Sequence, residues 1–122
     1  MKIKVSELTD AALDWAVARC QYPKSAMSCT HVWILVNPFS GEDDSLIEKY
    51  STDWSQGGPI IDRELIAPEP LMDTNCSLVK WSCRNWKGNG ADFFGPTFLI
   101  AAMRCYVASK LGNEVEIPEE LT

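Results

Sequence analysis

One stretch decides the fold, and it reads Gly95-Pro96-Thr97-Phe98-Leu99-Ile100-Ala101-Ala102-Met103-Arg104-Cys105-Tyr106-Val107-Ala108-Ser109-Lys110-Leu111-Gly112. The pattern predicts a helix with Thr97 as N-cap, because its hydroxyl can accept a hydrogen bond from a free amide of the first turn. Gly112 can take the left-handed conformation that closes a helix. The residues between are apolar almost all round, which is typical of a helix in a core or an oligomer interface. The helix is too short and too interrupted by charge to span a bilayer.

Arg104 interrupts this apolar helix. It lies about two turns after Thr97, so the two residues share a face. An arginine on a mostly buried helix needs a carboxylate, backbone carbonyls or a bound anion. Three interpretations follow: an internal ion pair, an anionic ligand, or a side chain that extends its charged end to solvent.

Composition and charge limit the class of protein. The chain has 122 residues, of which 46% are hydrophobic and five are Trp, enough for one domain with its own core. The formal net charge of −6 argues against sequence-independent nucleic-acid binding, which needs clustered Lys and Arg. An anionic small molecule is still possible, because one Arg or a helix N-terminus can bind it within an acidic protein.

Cysteine usage indicates a reducing compartment. The chain has an odd number of cysteines and no C-x-x-C spacing; they are Cys20, Cys29, Cys76, Cys83 and Cys105. The first five residues alternate like a strand and lack the apolar segment of a signal peptide. We therefore expect five free thiols in a cytosolic protein. Because His31 is the single histidine, we expect no metal site and no cofactor.

The order of predicted elements indicates an α+β fold. Strands are predicted near residues 3–5 and 31–36, within 75–83 and near 114–118, and helices at 10–20, 43–50 and 98–111, with a stiff connector at 67–70 and a loop at 85–90. We expect a small antiparallel or mixed sheet with two main helices packed on it. The whole chain, 1–122, would be a single domain with an acidic C-terminal tail that frays from about residue 118.

The stretch Ser51-Thr52-Asp53-Trp54-Ser55-Gln56-Gly57-Gly58-Pro59-Ile60-Ile61 is the candidate ligand loop, loop-like at its front and strand-like at its end. Polar side chains from Ser51, Thr52, Asp53 and Gln56 accompany the flat face of Trp54. This combination suits a small polar ligand that contains a ring. Gly57 and Gly58 let backbone approach another group closely. In the structural alternative, Asp53 or Thr52 caps a turn, Trp54 fills the core and the glycines make a tight bend.

Motifs for common enzyme classes are missing from the sequence. No G-x-S-x-G, H-E-x-x-H, P-loop or G-x-G-x-x-G occurs. Nucleophilic catalysis needs a base beside a Cys or Ser, and His31 is the single histidine available. The residues therefore favour a binder over an enzyme.

Three segments resemble the NinX-like family of small proteins from tailed bacteriophages and prophages. They are residues 4–9 with 12–18, residues 51–61, and residues 95–112, which occur in the family's order. The resemblance implies a phage accessory protein in the cytoplasm of a bacterial host. It implies no catalytic residue, because the family carries no established activity.

The candidate loop and the start of the long helix are predicted to converge into one site. Trp54, Gln56, Gly57 and Gly58 would meet Thr97 and Arg104, from one subunit or two. The helix-start amides, Thr97 and Arg104 would bind phosphate while Trp54 stacks on a base.

Three functions follow from this arrangement and from the phage context. The first is a non-enzymatic binder that sequesters a nucleotide-type small molecule in counter-defence. The second is an interaction factor that blocks or modulates a host protein. The third is a nucleotide-processing enzyme with Asp53 as base. We expect a homo-oligomer, preferably a dimer, with no membrane or direct nucleic-acid partner.

Overall fold

The computed structural model describes residues 1–22, 26–29, 33–36, 43–85 and 92–121. Its elements, in chain order, are β1 (Lys2–Lys4), a 3-10 turn (Val5–Glu7), α1 (Asp10–Gln21), β2 (Ala26–Cys29), β3 (Trp33–Val36), β4 (Asp43–Leu46), α2 (Trp54–Glu64), β5 (Ile66–Met72), β6 (Leu78–Asn85), β7 (Asp92–Gly95), α3 (Phe98–Leu111), β8 (Glu114–Glu116) and a second 3-10 turn (Glu119–Leu121). This order confirms the predicted α+β class.

Helix α3 is the centre of the molecule, as the sequence predicts. It packs against α1, α2 and strands β5, β6 and β7, and its residues 101–108 are all buried. Thr97 is the N-cap, and its Oγ1 accepts a hydrogen bond from the Ile100 amide at 3.2 Å. Gly112 closes the helix with a φ of 89°, a conformation that glycine adopts readily. The apolar surface of α3 is therefore covered within one chain.

The strands described here form three antiparallel sheets. Strand β1 pairs with β8, β2–β3–β4 form a second sheet, and β5–β6–β7 form a third. The third sheet packs on α3; Cys83 of β6 is buried there and its Sγ lies 3.8 Å from the Phe98 carbonyl oxygen. This contact places the end of β6 beside the start of α3.

Helix α2 corrects the prediction for residues 51–61. The sequence suggests a loop that leads into a strand, because Gly57, Gly58 and Pro59 are poor helix formers. The structure has a helix at Trp54–Glu64, capped by Asp53 and closed by Leu65 in the left-handed conformation (φ 56°). Gly57, Ile60 and Glu64 are buried on one face. End caps and packing of this face outweigh the low propensity.

Four further segments differ from the sequence-based expectations. Residues 43–46 form strand β4 and residues 47–50 are not helical, so the predicted helix at 43–50 is wrong; adjacent Asp residues and Ser are weak helix formers. The predicted connector at 67–70 lies within β5, an edge strand, where proline is tolerated. Strands β2 and β7 are not predicted from the sequence.

Some predictions lie partly beyond the described residues. This group comprises residues 31 and 32 of the predicted strand, residues 86–90 of the predicted loop and the side chain of Cys29. The other four cysteines, Cys20, Cys76, Cys83 and Cys105, are free thiols.

Candidate functional site

The turn before α2 is fixed to α1 by a pair of partly buried hydrogen bonds. The amide and the Oγ of Ser51 both donate to Asp14 Oδ1, at 2.8 and 2.7 Å. Ser51 itself is buried. Burial raises the pKa of Asp14, and the two hydrogen bonds from Ser51 oppose that rise. Helix α1 therefore sets the position of Ser51 and of the residues that follow it.

Asp53 is the N-cap of α2, in line with the alternative in which Asp53 or Thr52 caps a turn. Its Oδ1 accepts hydrogen bonds from the Ser55 amide at 2.9 Å and from Ser55 Oγ at 2.7 Å. These bonds hold the pKa of Asp53 below its ordinary value. A carboxylate with a lowered pKa is a weaker general base, so the geometry does not favour Asp53 as the base of an enzyme.

A cavity of about 390 Å³ lies between the start of α2, the start of α3 and β6. Eight of the described residues line it: Ser51, Thr52, Trp54, Trp81, Thr97, Phe98, Leu99 and Ile100. Four of them are site residues predicted from the sequence, and they come from two segments more than 40 positions apart. The convergence of the candidate loop with the start of α3 is therefore present in the fold.

Aromatic rings dominate one side of this cavity. The Trp54 side chain is 53% exposed and meets Phe98 edge-on, with ring centroids 5.1 Å apart and planes at 88°. Phe98 stacks in turn on Trp81 at 5.4 Å and 28°. Trp54 thus does not fill the core; it offers an exposed indole whose position is supported by a second ring.

Arg104 does not reach the cavity. Its Nε donates to the Leu8 carbonyl oxygen at 2.9 Å, and its Nη1 donates to the Phe94 carbonyl oxygen at 2.6 Å. The residue is 8% exposed, and burial lowers the pKa of its guanidinium. A buried arginine needs a carboxylate, backbone carbonyls or a bound anion. For Arg104 the structure shows backbone carbonyls. The predicted meeting of Arg104 with Trp54 and Thr97 is absent from the described residues.

Among the remaining predicted residues, Gly57 serves the packing of α2 on α3. A Cβ on Gly57 would lie 2.5 Å from Leu99 Cδ1 and 2.5 Å from the Tyr50 carbonyl oxygen. Gly57 therefore permits close contact of α2 with α3 rather than with a ligand. Gly58 has more room, since a Cβ there would meet Trp54 Cε3 at 3.8 Å. Gln56, Gly57, Gly58 and Asp53 are not among the residues that line the cavity.

Sequence reasoning missed the apolar part of the lining. Phe98, Leu99 and Ile100 were assigned to the helix core, and Trp81 to a strand. The available signal was the position of Phe98 directly after the N-cap, where a side chain lies at the end of the helix. The pairing of Trp81 with Phe98 depends on the β5–β6–β7 sheet, which a single sequence does not specify.

The sequence is similar to a known protein family. The model described as "Bacteriophage P22, NinX" matches residues 4–110. The chain belongs to the NinX family. The match spans most of the NinX chain and includes Ser51, Thr52, Trp54 and Thr97, the predicted residues that line the cavity. No curated protein matches the sequence significantly.

The described residues of this NinX-family protein contain neither a candidate membrane-spanning helix nor a candidate metal-binding group. No helix in the described residues is long and apolar enough to cross a membrane. Within the same residues, no group of three or more His, Cys, Asp and Glu side chains is arranged to hold a metal ion.

Proposed function

We propose that this NinX-family protein is a phage accessory protein of the host cytoplasm that binds a nucleotide-type small molecule and sequesters it as counter-defence. The binding would occur in the cavity lined by Trp54 and the start of α3. The observation that carries the proposal is the exposed indole of Trp54, held edge-on by Phe98 at the side of a concave, ring-sized space. A base would stack on this indole.

Energetics support a stacking role for Trp54. Stacking of one base on an aromatic side chain contributes about 1–3 kcal/mol, which corresponds to roughly 5- to 150-fold in affinity. Because Phe98 contacts the indole already, little side-chain freedom would be lost on binding. A half-exposed tryptophan at a cavity is also among the side chains most used for ligand contact.

The polar part of the cavity favours binding without chemistry. Hydroxyl groups come from Ser51, Thr52 and Thr97. Ser51 already donates to Asp14, and Thr97 already accepts from the first turn of α3. Groups fixed in this way orient a ligand. The part of the lining that the structure describes contains no general base such as His or a carboxylate.

Isothermal titration calorimetry tests the proposal. Wild-type protein is titrated with cyclic and linear nucleotides and with ADP-ribose derivatives, alongside Trp54→Ala and Trp54→Phe. We expect heat for at least one compound, a loss of about tenfold or more for Trp54→Ala and a smaller loss for Trp54→Phe, which keeps a ring. Tyr22→Ala is the matched control, because it removes an exposed aromatic ring that does not line the cavity.

A flat titration for every compound would contradict sequestration. It would leave the blocking of a host protein, the second function expected from the sequence, as the preferred proposal. Equal affinities for wild type and folded Trp54→Ala would instead contradict the assignment of the site to this cavity.

A further inference from the structure

We infer that the cavity recognises the base of its ligand rather than the phosphate, so that a nucleoside binds about as tightly as the corresponding nucleotide. This inference rests on the proposed function and specifies the chemical class of the ligand. The part of the ligand that is recognised would be an uncharged planar heterocycle whose edge carries adjacent hydrogen-bond donor and acceptor groups.

The charge of the lining is the first argument. None of the eight residues around the cavity is Lys, Arg, His, Asp or Glu, and the chain has a formal net charge of −6. Arg104, the cation expected from the sequence to hold a phosphate, donates to two backbone carbonyls elsewhere. Phosphate is normally bound by Arg or Lys in short charge-assisted hydrogen bonds. Among the residues that the structure describes, the lining offers no such side chain.

The hydroxyl groups give the second argument. Ser51 Oγ donates its proton to Asp14 Oδ1 at 2.7 Å, so toward a ligand it offers acceptor lone pairs. Thr97 Oγ1 accepts from the Ile100 amide at 3.2 Å, so its own proton is free to be donated. One acceptor and one donor at the same cavity complement the edge of a base, where an N–H or amino group lies beside a ring nitrogen or carbonyl.

The shape of the apolar surface is the third argument. The Phe98–Trp81 stack, with ring centroids 5.4 Å apart, lies beside the Trp54 indole. Leu99 and Ile100 complete this side. Such a surface gains free energy by covering a flat ring, whereas a phosphate would lose its hydration there without a charged partner. Ring recognition is therefore the interaction that the lining supports.

Calorimetry with matched pairs of ligands tests the inference. Each common nucleoside is compared with its 5′-monophosphate and 5′-diphosphate, at low and at high NaCl concentration. We expect the best nucleoside and its nucleotides to agree within about threefold, and the affinity to change little with salt, because few charges are neutralised on binding. Thr97→Val should weaken the best nucleoside by about fivefold or more. Thr97→Ser, which keeps the hydroxyl, should bind like wild type.

The outcomes separate this inference from the proposed function. If nucleotides bind about tenfold or more tightly than nucleosides and lose affinity in high salt, phosphate recognition dominates and the inference is overturned while sequestration stands. If neither class binds, the proposed function itself fails. If nucleosides bind but folded Thr97→Val and Trp54→Ala bind equally well, the base is recognised elsewhere and the inference is again overturned.

Discussion

Arg104 connects three parts of the chain through two hydrogen bonds. From α3 it donates to the carbonyl of Leu8, which precedes α1, and to the carbonyl of Phe94 in β7. Both carbonyls would lack these donors if the guanidinium were removed, and buried polar groups without partners are costly. The residue is thus better explained by the fold than by a ligand.

We predict that Arg104→Ala lowers the free energy of unfolding by about 2–4 kcal/mol, because it leaves two carbonyl acceptors without donors. Arg104→Lys should lose less, since an ammonium can keep one of the two bonds. Urea denaturation measures both effects. Ligand affinity of folded Arg104→Lys should equal that of wild type; a tenfold loss without destabilisation would assign Arg104 to the ligand site instead.

Glu64 is a second buried charge whose partners the structure identifies. On α2, it is 7% exposed; its Oε2 lies 3.2 Å from Arg63 Nε and its Oε1 lies 3.4 Å from Lys110 Nζ. Burial raises the pKa of Glu64, but hydrogen bonds and charges from Arg63 and Lys110 outweigh this and hold the pKa below its ordinary value of 4.5. The ion pair with Lys110 links α2 with the last turn of α3.

The lowered pKa of Glu64 gives a pH dependence with a defined sign. The unfolded carboxyl binds protons more readily than the folded one, so the stabilisation is present above pH 4.5 and is lost as pH falls through the folded pKa. We expect Glu64→Gln to lower the free energy of unfolding by about 1 kcal/mol at neutral pH and by little near pH 3. The control is the exposed Glu7→Gln. Equal penalties for Glu64→Gln at both pH values would contradict the ion-pair explanation.

Helix α2 shows how local propensity and packing compete in this fold. Gly57, Gly58 and Pro59 in succession predict a break, yet they lie inside a helix. Gly57 is required by the approach to Leu99, and Asp53 and Leu65 close the two ends. The sequence contains all of these features, but their effect appears only when α3 is in place.

The two glycines of α2 provide a matched pair of substitutions. We expect Gly57→Ala to destabilise the protein by about 1–3 kcal/mol, because its Cβ would overlap Leu99 and the Tyr50 carbonyl. Gly58→Ala should be neutral or stabilising by up to about 1 kcal/mol. Its Cβ would make only an ordinary van der Waals contact, and alanine has a higher helix propensity than glycine. Thermal and urea unfolding measure both. Similar losses for the two variants would contradict the packing of α2 on α3.

The elements that sequence reasoning identified are those with local signals. Helix α3 has a capping Thr97 and a closing Gly112, and α1 has a periodic apolar face. Strands β5 and β7 have weak local signals, because Pro68 and Pro70 resemble a connector and β7 has four residues. Their existence depends on pairing with β6, which is a non-local interaction.

At the scale of the whole molecule, the structure changes which surface is expected to form an oligomer interface. The sequence placed it on the apolar helix, but α3 is covered within one chain. Exposed apolar side chains occur instead at the end of the β5–β6 hairpin, where Met72, Leu78 and Val79 are each about half exposed or more. Met72 and Leu78 are opposite each other in the strand register, so these two residues form one hairpin patch.

We predict that a second copy of this chain covers the hairpin patch and that the protein is a dimer at high micromolar concentration. Light scattering coupled to gel filtration measures the mass. Met72→Asp with Leu78→Asp should give the monomer mass, whereas the control Leu111→Asp, at an exposed position outside the patch, should not. A monomer mass for wild type would contradict this prediction.

The candidate site was predictable in part, for reasons that follow from the fold. Trp54 and Thr97 were identifiable because a polar loop with an aromatic ring and a helix N-cap are both visible in sequence. The hydrogen-bond partners of Arg104 were not identifiable from the sequence, because these two carbonyls lie 96 and 10 positions away. The contribution of Trp81 depends on sheet pairing, which likewise joins distant residues.

Native mass spectrometry of the protein purified from infected cells tests the central claim, that the cavity beside Trp54 retains a base-containing small molecule. Wild type and Trp54→Ala are prepared in parallel, and released compounds are identified by mass. We expect wild type to carry a nucleoside- or nucleotide-type adduct that Trp54→Ala lacks. An equal adduct on both proteins, or a bare wild-type chain that also gives no heat with any nucleoside or nucleotide, would contradict the account.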